Sequence, residues 1–397
     1  MLMISCEQKE KGTQNKPADG VWRGVIHLQG EELPFNFQIH ERDSLKEIIL
    51  INGDERISID EISMKNDSIY IPMHIFDTRI VSRYSKTRLK GYWQKNYIEN
   101  YILPFTGEHN LVYRFSKEPE SPYRNISGRW EVYFLTEADS SRAVGVFNQQ
   151  GNYLDGTFLK STGDYRFLAG EVDGDSLKLS TFDGEHAYLF KAKITDDNSI
   201  YGTFWSGKSW KQPWYAIRNE EASLPDLSSL TYLKQGYDRV YFQLPDLDGT
   251  MISLDDSKYR EKVVIVQIFG TWCPNCLDET RFLADWYRKN RHREIEIVAL
   301  AFERKADLNY ARERITRMKE KYDIDYDFLF AGKADKEEAA RVLPMLNRIV
   351  SFPTTIFIDR KGNVRNIHTG FNGPGTGDLY EKFIDEFNHS IDKLLQE

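Results

Sequence analysis

From residue 20 to about 220, apolar and polar residues alternate in short runs, broken by turn-forming stretches such as Asn52-Gly53-Asp54 and Asp173-Gly174-Asp175. A period of two puts alternate side chains on opposite faces of a pleated strand, so these runs predict antiparallel β-structure. The 3.6-residue period of an amphipathic helix is missing there. The pattern also repeats. Gly20–Leu28 is echoed by Gly128–Leu135, and Asp67-Ser68-Ile69-Tyr70-Ile71 by Asp175-Ser176-Leu177-Lys178-Leu179, in both cases 108 positions on. Looser echoes link Phe76-Asp77 with Phe182-Asp183, and residues 89–93 with 200–205. Two related β units are expected, over residues 19–118 and 123–220, each a small barrel or sandwich or both closing into one body. Glu118-Pro119-Glu120-Ser121-Pro122 marks their joint.

Beyond a polar, proline-containing linker at 221–237 the period changes. A hairpin (240–244 with 251–254), a strand (262–269) and a helix (274 to about 290) are predicted, then a strand (295–302) and a helix (306–321). An inserted segment with a short helix (334–346) leads to strands at 354–359 and 364–368 and a last helix at 377–395. Alternating strands and helices predict an α/β domain over 238–397. The fold class is therefore multidomain, all-β in front and α/β behind.

A length of 397 residues suits two or three domains, and 40% apolar residues suffice for their cores. The formal charge of −8 offers no basic field to replace phosphate counterions, which argues against a nucleic-acid partner. The basic run at 288–293 reads as the solvated end of a helix. Aromatic residues concentrate in the β half. Trp22, Trp93, Trp130, Trp205, Trp210 and Trp214 are candidates for a binding groove, although strand aromatics more often fill cores.

The candidate chemistry lies in Cys273-Pro274-Asn275-Cys276, introduced by Trp272 after the apolar run 263–269. A buried strand that turns into a C-x-x-C helix puts the first sulfur at the helix N-terminus. Free N–H groups and the macrodipole favour a thiolate there, and the second sulfur lies one turn inside. Pro274 fits the first helical position. Zinc would need four ligands, and the only other cysteine is Cys6. A reversible dithiol–disulfide pair is the expected chemistry, with an exposed Cys273 and a shielded Cys276. A peroxidatic P-x-x-x-T-x-x-C context is absent, and the Gly-rich stretch 370–377 lacks the Lys-Ser/Thr of a phosphate loop.

Residues 238–397 resemble the TlpA/ResA-type disulfide reductases of the thioredoxin-like fold. The resemblance rests on the strand–helix order, residues 269–276, Glu279, and Ser351-Phe352-Pro353-Thr354 leading into an apolar strand. It implies a cis peptide before Pro353 and client contacts at Trp272, Phe352 and Pro353. It also implies a proton-relay role for Glu279, for which a solvated helix carboxylate is the rival reading. Gln267 stands where thioredoxin has a buried Asp, which moves the base role towards Glu279 or water.

The expected function is reduction of client disulfides by Cys273 and Cys276, with no cofactor or metal and with electrons from an upstream envelope reductase. Rival readings are a disulfide donor or isomerase, and a β-domain binding protein with an accessory redox module. Met1-Leu2-Met3-Ile4-Ser5-Cys6 resembles the end of a bacterial lipoprotein signal, so Cys6 is the expected lipidation site. Residues 1–18 then form a signal remnant and tether on an envelope protein held to the membrane by lipid alone, the true start codon lying further upstream.

Overall fold

The structure, a computed structural model, describes residues 16–42, 45–73, 75–137, 139–195, 199–224 and 230–397; Cys6 lies outside them. The first β unit contains β1 (Gly20–Leu28), β2 (Glu31–Arg42), β3 (Leu45–Asn52), β4 (Glu55–Ile59) and β5 (Ser63–Lys65). It continues with β6 (Ser68–Pro72), β7 (Thr78–Tyr84), β8 (Arg88–Lys95) and β9 (Ile102–His109). They form one antiparallel sheet in the order β4-β3-β2-β1-β9-β8-β7-β6-β5.

The second unit starts with β10 (Gly128–Leu135), β11 (Ser140–Gln150), β12 (Tyr153–Lys160) and β13 (Gly163–Asp164). β14 (Leu168–Asp173), β15 (Ser176–Phe182), β16 (Ala187–Ile194), β17 (Ser199–Ser206) and β18 (Trp210–Arg218) complete it. Here β11 also pairs with β12, so the sheet closes into a barrel, whereas β4 and β5 of the first unit remain unpaired with each other. Closure requires β12 to serve β11 and β14 along one short length. Gly156 permits this, because a Cβ there would stand 2.2 Å from the Val146 carbonyl oxygen.

The repeat survives in atomic detail. Trp22 Nε1 donates to the Ala18 carbonyl and Trp130 Nε1 to the Ile126 carbonyl, each across 2.9 Å and four residues back. Each unit has its own apolar core, and Phe182 of the second lies 4.7 Å, ring to ring, from Phe35 of the first. Five of the six candidate groove tryptophans are buried, Trp210 being the exception.

The α/β domain opens with a hairpin, β19 (Gln243–Pro245) and β20 (Met251–Ser253). β21 (Val263–Phe269), α1 (Pro274–Asn290), β22 (Ile295–Glu303) and α2 (Leu308–Tyr322) follow. Then come β23 (Asp327–Lys333), α3 (Lys336–Val342), β24 (Thr354–Ile358), β25 (Val364–Thr369) and α4 (Asp378–Gln396). The sheet order is β23-β22-β21-β24-β25, with the first three strands parallel. Every residue of β21 and β22 is buried, as expected of central strands covered on both faces. The inserted segment expected before 354 contains a fifth strand, β23, and a shorter helix than 334–346. Its apolar core, Phe328-Leu329-Phe330-Ala331, is too brief to announce a strand; pairing with β22 makes it one. Of the expected linker, residues 230–237 pack on this domain, Lys234 N–H donating to the Met345 carbonyl.

Candidate active site

At the end of β21 the chain turns through Gly270 and Thr271 into Cys273, which caps α1 in an extended conformation. Cys273 and Cys276 are joined as a disulfide, with their Cα atoms 5.1 Å apart. The Cys276 N–H donates to Cys273 Sγ across 3.2 Å, so the sulfur holds one of the free donors of the helix start. Those donors and the helix dipole stabilise negative charge on Cys273 once the pair is reduced. Trp272 is held beside them by donating to the Phe302 carbonyl at 2.8 Å, and the Arg304 guanidinium lies 4.1 Å from its ring.

The Phe352-Pro353 peptide is cis and faces the disulfide, with the Phe352 carbonyl oxygen 3.5 Å from Cys273 Sγ. The Phe352 ring lies edge-on to Trp272 at 5.7 Å. All three residues implied as client contacts therefore surround the first sulfur.

Glu279, one turn beyond Cys276 on α1, is 1% exposed. It accepts from Gln267 Nε2 at 2.8 Å and from Thr355 Oγ1 at 2.7 Å. This burial corrects the rival reading of a solvated carboxylate. It also pushes the carboxyl up to about 7, against the pull of both donors. Gln267 thus occupies the thioredoxin Asp position as a donor to the acid rather than as the acid. A second buried carboxyl, Glu303, accepts from the N–H and hydroxyl of Thr271 at 2.9 and 2.8 Å, and burial pushes it up to about 7 as well. The sequence reading missed Glu303; the signal was an acidic residue at the end of the apolar run 295–302.

The expectation of an exposed Cys273 requires correction, because the residue is only 6% exposed. The second β unit packs against the loops around it. Its turn after β12 meets the redox loops: Ser351 Oγ donates to the Thr162 carbonyl at 2.6 Å and Asn275 Nδ2 to the Asp164 carbonyl at 3.1 Å. The Gly373 N–H donates to the Asp164 carboxylate at 2.7 Å. Behind this turn Arg166 donates twice to Asp278 on α1, at 2.8 and 3.0 Å, and also to Glu55 and Asp183. All four side chains are buried. A buried Arg joining three distant segments leaves no local trace in a sequence.

A cavity of about 410 Å³ lies between the β12 turn, the β17–β18 hairpin and Asn275. Another, of about 500 Å³, surrounds Val264 and Ile358, at the end of β21 away from the disulfide. Among the described residues no helix is long and apolar enough to cross a membrane.

Residues 237–367 match the AhpC/TSA family. The thiol-disulfide oxidoreductase ResA of Halalkalibacterium halodurans is 25% identical over 158 residues, which is 40% of this chain and 77% of that protein. ResA of Bacillus subtilis is 26% identical over 138 residues, 35% of this chain and 69% of its own length. A solved thiol:disulfide interchange protein of Chlorobium tepidum is 20% identical, covering 41% of this chain and 98% of that one with a TM-score of 0.30. The C-terminal region of this chain is a thioredoxin-like domain of the AhpC/TSA family, homologous to the ResA-type thiol–disulfide oxidoreductases.

Proposed function

We propose that the protein reduces disulfides of client proteins in the bacterial envelope. The observation that carries this reading is the Cys273–Cys276 pair at the start of α1, with the Phe352 carbonyl 3.5 Å from the first sulfur. In the dithiol form the Cys273 thiolate attacks a client disulfide, and the displaced client sulfur leaves as a thiolate that takes a proton. Cys276 then gives its proton to ionised Glu279 and attacks Cys273 Sγ, which releases the second client thiol. Two electrons pass to the client, and the enzyme is left as the disulfide. A dithiol reductase of the envelope restores the reduced pair.

Burial pushes the Glu279 carboxyl up to about 7, which suits it to exchange a proton at neutral pH. Cys6, after the apolar residues Leu2-Met3-Ile4, is the proposed lipid anchor. With dithiothreitol as electron source, the full chain is expected to reduce insulin. Cys273→Ser abolishes this turnover, and Cys276→Ser accumulates a mixed disulfide with the client. Insulin reduction that persists in Cys273→Ser overturns the reading.

A further inference from the structure

The cavity beside Asn275 has a composition that the redox chemistry does not use. Its floor and walls come from the second β unit: Lys160, Tyr165, Tyr188, Phe204 and Trp210, with Asn275 of the redox motif closing one side. Trp210 is the only tryptophan of the β half left open, 54% exposed where its counterparts are buried. Lys160 is partly buried and lies over the Phe134 ring at 4.3 Å and the Tyr165 ring at 5.7 Å. Burial pushes its ammonium below the ordinary lysine value.

Arg166, Lys95 and Lys178 each meet a carboxylate. Lys160, like the half-buried Arg114 and Lys319, has no carboxylate partner among the described residues, but it alone of the three lines the cavity beside Asn275. The one acidic group lining the cavity, Asp164, is already engaged by the N–H groups of Arg166 and Gly373. A cation held against aromatic faces without an anion is only partly compensated, and an incoming carboxylate would complete it. The cavity is continuous with the redox motif through Asn275, two residues from Cys273.

We propose that this cavity is the specificity site for clients, and that it takes a segment carrying a carboxylate side chain next to the reacting half-cystine. The carboxylate meets Lys160, and the adjoining apolar part of the segment lies against Trp210 and Phe204. The proposal rests on the reading of the protein as a thiol–disulfide exchanger and names the class of client that this site selects.

The test uses the full chain and two synthetic peptide disulfides that are identical except for Glu or Lys on both sides of the cysteine. Wild type is expected to reduce the Glu peptide about tenfold more efficiently, the worth of one charge-assisted hydrogen bond. In Lys160→Met this ratio falls to near one through KM, and Trp210→Ala raises KM for both peptides. A Glu peptide with Ser in place of Cys, titrated against wild type by tryptophan fluorescence, is expected to bind, and Lys160→Met to weaken it to the level of the Lys peptide. Equal turnover of the two peptides by wild type, or a preference that survives in Lys160→Met, overturns the proposal. Reduction of neutral 2-hydroxyethyl disulfide by wild type separates the two readings. If that reduction is absent the redox assignment fails, while the Ser-peptide titration still decides the binding site.

Discussion

Arg166 of the second β unit grips Asp278 of the redox helix with two hydrogen bonds, of 2.8 and 3.0 Å, and both side chains are shut off from water. Asp278 is two residues from Cys276, so the β half is fastened to the first turns of the helix that carries the reacting sulfurs. The same guanidinium binds Glu55 and Asp183, so one side chain joins both β units to the α/β domain.

Replacing Arg166 by Met removes the cation from three buried carboxylates. Breaking a buried ion pair by deleting one partner costs about 3–5 kcal/mol, because the remaining charge stays buried without compensation. Arg166→Met is expected to lose stability of this order in denaturant unfolding, and to be cleaved faster between 219 and 237 by a protease. A loss under about 1 kcal/mol, the range of exposed pairs, would mean that water reaches the cluster in solution.

Glu279 titrates near 4.5 in an ordinary setting and near 7 in the fold. The folded protein therefore holds this proton more tightly than the unfolded chain does. The resulting stability is fully present below pH 4.5 and is lost as pH rises through 7. Glu279→Gln stays neutral and retains it. The difference in Tm between variant and wild type is expected to move in favour of the variant from pH 5 to pH 8. In exchange kinetics the wild-type rate rises through about pH 7, and this limb disappears in Glu279→Gln. Superimposable pH–rate profiles would remove Glu279 from the proton path.

A Cβ on Gly270 would stand 2.2 Å from Trp272 Nε1 and 2.6 Å from the Phe302 carbonyl oxygen, the two ends of the bond that holds the indole. Gly270→Ala is expected to break that bond, shift the tryptophan emission and slow client reduction several-fold with the helices intact by circular dichroism. Unchanged emission and turnover would show that Trp272 is positioned by other contacts.

Expressed with a lipoprotein signal that ends at its own Cys6, the protein is expected to partition with membranes, and Cys6→Ala to release it. The supporting reason is energetic: the described helices offer no spanning segment, so acyl chains would supply the anchor at about 0.8 kcal/mol per buried CH₂. A Cys6→Ala protein that stays with the membrane overturns the lipid-anchor proposal.

Local chemistry settled much in advance. The run Val263–Phe269 followed by Cys273-Pro274-Asn275-Cys276 specifies strand, turn and helix by itself, since an apolar run, a proline at the first helical position and a capping cysteine act within one short stretch. The 108-residue echo specifies two related β units, because turn residues and alternation are local signals too. The pairing of Gln267 with Glu279 lies between these cases: both residues were singled out, but their hydrogen bond needs β21 packed on α1.

Other features exist only in the folded chain. β23 is a strand because β22 supplies its partner, and the second β unit is a closed barrel while the first stays open because β11 reaches β12 but β4 does not reach β5. The contacts of the β12 turn with the redox loops, the Arg166 cluster and the Lys160 cavity each combine residues more than a hundred positions apart. Whether a charged side chain is solvated, paired or left waiting for an anion depends on the groups around it in space. The order of residues fixed the redox pair and the elements that carry it, and tertiary packing decided what covers that pair and which charges face it.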